Sequence, residues 1–406
     1  MDIDTIRSQF PIFSKKINGK SLVYLDSSNS SQKPISVLNC LDSFYRNEFS
    51  NVGRSIHSLA VNATNKFEET RLNVKNFINA KFKEEIIFTK NATESINLVA
   101  STFGQLNIEK GDEILITELE HHSNYVPWHY LRQTKKAIIK FAPINENGDV
   151  EMDKFKELIT SKTKIIAVTH LSNVTGTIVP IKEIVEIARK KNIPVLVDGC
   201  QSAPHITIDV KDLDCDFYAI SCHKVYGPTG VGILYAKKKW LEKLPPYIGG
   251  GGMISEVNKN QITYAPLPEK YEAGTMPTAE VVAFNESIKF MQSIGMDNII
   301  KHENELTNYT LEKLKKINSV NIVGNPRNKA GVISFTIKGI HPHDISTIVD
   351  EEGVAIRAGH HCCQILHKRL NLNATARASI GVYNTKEDID VLCEAIKNCR
   401  KIFDLK

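Results

Sequence analysis

From residue 85 to 236 the chain alternates short apolar, β-branched runs with longer stretches of helical spacing. Glu85-Ile86-Ile87-Phe88-Thr89 predicts a strand, and Ser95-Ile96-Asn97-Leu98-Val99-Ala100 opens a helix behind it. Residues 113–117 predict the next strand. Residues 164–169 and 194–197 predict two more, flanking an amphipathic helix over 181–191, and residues 217–221 and 232–235 continue the series. Strands separated by helices of roughly 10–15 residues make a mostly parallel sheet covered on both faces. Sheets of this kind bind ligands beyond the carboxyl ends of their strands.

The pattern changes after residue 236. The run Gly249-Gly250-Gly251-Gly252 and the stretch to Pro268 predict irregular loop, and 278–293 predicts a long helix. Beyond 295 come amphipathic helices and a few strands, such as 331–338. The expected fold class is therefore α/β, with a large domain over 20–294. A smaller α+β domain is expected from 295–406, with 1–19 packed on it. A chain of 406 residues is too long for one simple core, and it carries neither internal repeats nor low-complexity segments.

Composition narrows the function classes. The chain is 42% hydrophobic and 24% charged, which places it with soluble globular proteins. A formal charge of +5 is small for this size, so Lys237-Lys238-Lys239 reads as solvated surface and no nucleic-acid partner is expected. No stretch approaches the roughly 18 uninterrupted apolar residues of a membrane helix, and residues 1–5 lack the basic-then-apolar order of a signal peptide. Cys40, Cys200, Cys215, Cys222, Cys362, Cys363, Cys393 and Cys399 are scattered and form no C-x-x-C pair. That usage fits a reducing compartment, and a cytoplasmic location is expected.

Chemistry collects at the predicted strand ends. The second strand runs into Glu120-His121-His122, the third into Asn173, and the fourth ends at Asp198 with Gln201 three residues on. The fifth ends in Ser221-Cys222-His223-Lys224. Each residue alone has an ordinary explanation: Asp198 as a cap, Lys224 as surface, His121 as an interior histidine. Together, an acid, a lysine, a histidine and an amide suit pyridoxal phosphate (PLP). A lysine holds it covalently, and an acid keeps a proton on the ring nitrogen so that the ring acts as an electron sink. Asn91-Ala92-Thr93-Glu94 predicts a capped helix start, with Asn91 as N-cap and Glu94 at N3, whose free N–H groups also suit a phosphate.

Longer motifs tie these residues to a family. Val197-Asp198-Gly199-Cys200-Gln201-Ser202 and Ser221-Cys222-His223-Lys224-Val225-Tyr226-Gly227-Pro228-Thr229-Gly230 resemble the fold-type I cysteine desulfurases of the class-V aminotransferase family. Glu120-His121-His122-Ser123-Asn124 and Arg357-Ala358-Gly359-His360-His361-Cys362 narrow the resemblance to the SufS-like group II enzymes. Asn51-Val52-Gly53-Arg54 with His57, Glu272-Ala273-Gly274-Thr275 and Arg377-Ala378-Ser379 add to it, and it runs from about Asp4 to the C-terminus.

The resemblance implies a role for each position. Lys224 holds PLP and later moves protons between Cα and C4′. Asp198 pairs with the pyridine nitrogen, Gln201 with the phenolic oxygen, and His121 stacks on the ring. Thr93, Ser221 and His223 hold the phosphate, while Gly274 and Thr275 reach the phosphate of a partner subunit, which implies a homodimer. Asn173 and Arg377, with Arg357 nearby, bind the substrate carboxylate. The implied reaction converts L-cysteine to L-alanine and leaves a persulfide on Cys362. A small SufE- or SufU-type acceptor would then carry the sulfur to iron–sulfur cluster assembly in a SUF system.

Arg357, His360, His361 and Arg377 are expected to give the Cys362 thiolate positive or dipolar surroundings, since the thiolate is the nucleophile. No metal is expected at His360-His361-Cys362-Cys363, because four consecutive residues converge poorly on one tetrahedral ion, and a vicinal disulfide would be strained. The chain departs from the family at five places. Cys363 stands where a small residue is usual and is followed by Gln364. Ala92 stands for a hydroxyl near the phosphate, Gly53 for a histidine, and Ser28-Asn29 for two alanines. The alternative activities are PLP-dependent selenocysteine lyase or cysteine sulfinate desulfinase, whose leaving groups need Cys362 less.

Overall fold

The computed structural model describes residues 2–53 and 55–403; Arg54, quoted above, lies outside them. Seven strands form the central sheet: β1 (Ile86–Thr89), β2 (Glu113–Thr117), β3 (Ile138–Ala142), β4 (Thr163–Thr169), β5 (Val195–Asp198), β6 (Phe217–Ser221) and β7 (Gly232–Ala236). Their order is β1-β7-β6-β5-β4-β2-β3. All pairings are parallel except those of β7, which runs antiparallel to both β6 and β1.

The strand residues alternate between two cores. Leu115, Val168, Val197, Ile220 and Ile233 pack in one hydrophobic cluster, and Ile114, Ala167, Leu196, Ala219 and Leu234 in the other. Burial on both faces is why these strands read as continuous apolar runs. Strand β3 was not visible in the sequence for the opposite reason. It lies at the sheet edge, Ile138 is exposed, and Lys140 interrupts the run.

Helix α1 (Ala92–Asn107) follows β1, and Asn91 Oδ1 caps it by accepting from Glu94 N at 2.9 Å. The expected capping box closes one residue early, because Glu94 Oε2 takes its hydrogen bond from Lys90 N and not from Asn91 N. Gly232 on β7 lets this helix start approach the sheet: a Cβ there would sit 2.4 Å from the Asn91 backbone. Helix α2 (Ile181–Arg189) sits near its expected place, and α3 (Thr278–Ile294) and α4 (Met296–Lys315) follow later. The expected loop 249–268 contains a hairpin, Ile254–Val257 with Ile262–Tyr264. Its residues are largely exposed, so no alternation announced the strands.

A second sheet, antiparallel throughout, comprises β8 (Val320–Val323), β9 (Val332–Ile337), β10 (Arg357–Gly359) and β11 (Thr375–Ser379) in the order β8-β9-β11-β10. The N-terminal segment packs beside it: Val23–Tyr24 forms a separate parallel pair with Val354–Ala355, Asp26 bridges to Ser379, and Val23 and Leu25 pack in that sheet's core. Phe10 packs edge-on against Tyr226, Phe290 and Tyr383 at 6.1, 5.4 and 4.8 Å between centroids. Such pairs add about 0.5–1.5 kcal/mol each beyond their buried area. This cluster locks the first residues between the two sheets. Among the described residues no helix is long and apolar enough to cross a membrane.

Arg71, on the helix Ser58–Phe77, forms a buried ion pair with Glu272. Both guanidinium Nη atoms donate to the carboxylate at 2.8 Å, and Glu272 Oε1 also accepts from Phe88 N at 2.7 Å. Removing one partner strands the other charge in the interior. Glu272→Ala is expected to lower stability by about 3–5 kcal/mol in urea denaturation; a loss below about 1 kcal/mol would show that solvent reaches Arg71.

Candidate active site

The carboxyl ends of β2, β4, β5 and β6 open onto a cavity of about 290 Å³. Thr93, His121, Asn173, Asp198, Gln201, Ser221, His223, Lys224, Arg357, Cys362 and Arg377 all line it. Gly274 and Thr275 do not. They border a separate, larger cleft of about 980 Å³ with Arg71, Glu272 and residues 51–53. That cleft is wider but contains neither a lysine nor a thiol, so the chemistry belongs to the smaller one.

Lys224 closes a short turn after β6. The carbonyl just before it, on His223, accepts from Ser31 N at 3.1 Å, Ser30 Oγ at 3.2 Å, Ser31 Oγ at 3.1 Å and Lys33 Nζ at 2.8 Å. Four donors on one carbonyl fix where the lysine leaves the backbone. Among the described residues, no acceptor bonds Lys224 Nζ itself. Asp198 is the last residue of β5, and its Oδ1 accepts from Cys200 N at 3.0 Å. Gln201 Nε2 donates to Ser28 O at 2.7 Å, while Gln201 Oε1 and Ser28 Oγ are buried with no partner.

His121 is held by its own turn: Ser123 N donates to its Nδ1 at 3.1 Å, which leaves the ring proton on Nε2. Burial, with Lys224 nearby, lowers its pKa to about 3, so the ring is neutral. Ser123 Oγ also bonds Thr93 Oγ1 at 2.7 Å, and Ser221 Oγ accepts from Ala92 N at 2.9 Å. The start of α1 thus borders the cavity with hydroxyls and backbone N–H groups. This set fits a phosphorylated pyridine aldehyde: a lysine with a free amine, an acid at a strand end, an unsatisfied buried amide, a flat neutral ring, and a helix N-terminus with hydroxyls.

Two thiols line the cavity, and they differ. Burial and Asp198 push the Cys200 thiol up to about 12, which makes it inert. Cys362 is only half-buried. It follows β10, and its loop is unusual: His361 and Cys362 both adopt left-handed backbone, with φ +51° and +57°. Two consecutive non-glycine residues in this region cost about 1–3 kcal/mol each and persist only where the surroundings hold them. Here Asn173 Nδ2 donates to His361 O at 2.8 Å, and His122 N donates to Cys362 O at 2.8 Å.

The surroundings of the thiol differ from expectation. Arg357 Nη2 approaches Cys362 Sγ at 3.9 Å and is the one cation that bonds it among the described residues. His361 turns away, bonding Thr375 Oγ1 at 2.9 Å, and burial beside Arg377 takes its pKa down to about 2. It contributes no positive charge. His360 leans on His367 with ring centroids 5.5 Å apart. Arg377 Nη2 pairs with Asp26 Oδ1 at 2.9 Å, and its Nη1 donates to Asn173 O at 3.1 Å.

Several partners escaped the sequence reading. Asp26 anchors Arg377, and Asn29 Oδ1 accepts from Arg357 Nη1 at 3.0 Å. Ser28 and Asn29 line the cavity. They sit more than 300 residues from these arginines, so no local spacing signalled them; their departure from the family pair of alanines was the only flag. Among the described residues no three His, Cys, Asp or Glu side chains converge in metal-ligand geometry.

Histidines held neutral by their surroundings dominate the acid sensitivity. His121, His170, His223 and His361 are lowered from 6.5 to about 3, 4, 4 and 2, burial being the largest cause in each. Between pH 6.5 and 4 the unfolded chain holds protons on them that the folded chain does not. Their stabilisation is complete above 6.5 and is lost as pH falls. Glu120, pushed up to about 8 by burial, and Glu272, also raised by burial, work in the opposite sense but are outnumbered. The urea midpoint is expected to fall between pH 7 and pH 5; a rise would contradict the neutral histidines.

Comparison with known proteins agrees with this geometry. The aminotransferase class-V family profile matches residues 23–392. A probable cysteine desulfurase of Halalkalibacterium halodurans is 46% identical over 403 residues, covering 99% of each chain. One of Staphylococcus aureus is 48% identical, covering 99% of this chain and 98% of its own. The crystal structure of an Escherichia coli cysteine desulfurase in its S-sulfonic acid form superposes with a TM-score of 0.92 at 34% identity, covering 99% of both chains. The chain belongs to the aminotransferase class-V family of fold-type I enzymes, alongside its cysteine desulfurases.

Proposed function

We propose that this chain is a PLP-dependent cysteine desulfurase of the SufS-like group, which releases L-alanine from L-cysteine and keeps the sulfur as a persulfide on Cys362. The observation that carries the reading is that the half-buried Cys362 thiol shares one small cavity with Lys224 and Asp198. Bound there, PLP supplies an electron sink for the pair released at the substrate Cα.

The side chains do the rest. Lys224 holds the cofactor and then moves a proton to and from the substrate Cα. Asp198 keeps the ring nitrogen protonated, and the second N–H of Gln201 Nε2, not used on Ser28 O, is free for the phenolic oxygen. Thr93, Ser221, His223 and the α1 start hold the phosphate. Neutral His121 would stack on the ring, its Nε2–H aimed by the bond at Nδ1. Arg377 and Asn173 fix the substrate carboxylate.

The Cys362 thiolate, with Arg357 Nη2 at 3.9 Å from its sulfur, attacks the substrate sulfur. The new S–S bond forms as the Cβ–S bond breaks, and Cβ takes up a proton to give alanine. The persulfide sulfur then passes to the thiol of a small SufE- or SufU-type acceptor for iron–sulfur cluster assembly. Gly274 and Thr275, which lie away from this cavity, complete the phosphate site of a partner subunit in a homodimer. Eight free thiols, six of them buried, suit a cytoplasmic location.

With thiol reductant present, wild type is expected to release alanine from L-cysteine, and Cys362→Ala to lose at least about 100-fold of that rate. Equal alanine release by both, with selenocysteine or cysteine sulfinate turned over faster, would instead make the chain a lyase for those substrates.

A further inference from the structure

The two adjacent cysteines face opposite ways. Cys362 lines the cavity. Cys363 does not; it is fully buried, with Sγ at 3.1 Å from Asn173 Oδ1 and 4.0 Å from Leu119 O. The thiol is the only donor on Asn173 Oδ1 among the described residues. Asn173 Nδ2 in turn holds the carbonyl of His361, the first of the two left-handed residues that present Cys362. An amide is planar, so a donor fixed at Oδ1 aims Nδ2 at that carbonyl and opposes a flip.

We propose that Cys363 is a positioning residue: its S–H donates to Asn173 Oδ1 and thereby locks the amide that clamps the loop bearing the nucleophile. It acts as a hydrogen-bond donor and not as a second sulfur carrier. A relay would need Cys363 Sγ to enter the cavity, and its S–H is committed on the core side, beneath Asn173. The main-chain bonds from Cys363 N to His360 O at 2.8 Å and from His367 N to Cys363 O at 3.1 Å keep it there. Burial also pushes this thiol far above the range where it would ionise. The inference rests on the proposed desulfurase reading, since it concerns how Cys362 is aimed.

A donor and a sulfur carrier are separated by two variants of the holoenzyme, assayed for alanine release with reductant. Cys363→Ala is expected to lower kcat about three- to tenfold, the range of one lost hydrogen bond, and to raise KM for L-cysteine as well, because the amide it unlocks also fixes the substrate carboxylate. Cys363→Ser, which restores an O–H donor, is expected to return kcat to within about twofold of wild type. Equal loss in both variants would mean that the sulfur itself is required, and no loss in either would mean that the bond does not aim the loop; either result overturns the proposal. Peptide mapping of the wild type after turnover without reductant needs no variant to fold. Sulfur on Cys362 alone is expected, and sulfur on Cys363 overturns the proposal. Cys362→Ala run in parallel keeps the two levels apart, because its undiminished activity would sink the desulfurase reading whatever Cys363 does.

Discussion

The active cavity depends on one constraint: the carbonyls of two strained residues, His361 and Cys362, are each held by a donor from the central sheet's carboxyl edge. Asn173 follows β4 and His122 follows β2, and their bonds to His361 O and Cys362 O bring the second sheet's loop down onto the first. Without those donors the left-handed pair would relax, and the thiol would leave the space shared with Lys224. The strain is local, and the parts that oppose it belong to rigid strands.

The same edge gathers the other reactive groups because parallel strands all finish on one side. β5 delivers Asp198 and β6 delivers Ser221 and Lys224, while Gly232 lets the α1 start come close enough to add Thr93. The N-terminal segment completes the cavity from outside the sheet. Asp26 pairs with Arg377, Asn29 with Arg357, and the Ser30–Lys33 stretch surrounds the His223 carbonyl. Charged side chains buried in this way need such partners, or their desolvation goes uncompensated.

Much of this was legible in the sequence because it obeys local rules. The buried strands announced themselves as apolar runs, and their polar last residues marked His121, Asn173, Asp198 and Lys224 as neighbours. Edge strand β3 and the exposed hairpin at 254–264 carry no such pattern and were missed. Of the positive or dipolar groups expected around Cys362, Arg357 bonds its sulfur and His361 does not. Sequence proximity placed His361 beside the thiol, but the left-handed turn sends its ring to Thr375 in the core. Asp26, Ser28 and Asn29 were invisible as partners because their bonds to the arginines and to Gln201 depend on tertiary packing over long separations.

The account centres on a single thiol that receives the sulfur inside the cofactor cavity. Pre-steady-state alanine release from L-cysteine, without reductant or acceptor, tests it most directly. One alanine per subunit in a burst, followed by a stall that reductant relieves, is the predicted result. Steady release with no burst, or a burst that survives alkylation of Cys362, would contradict it.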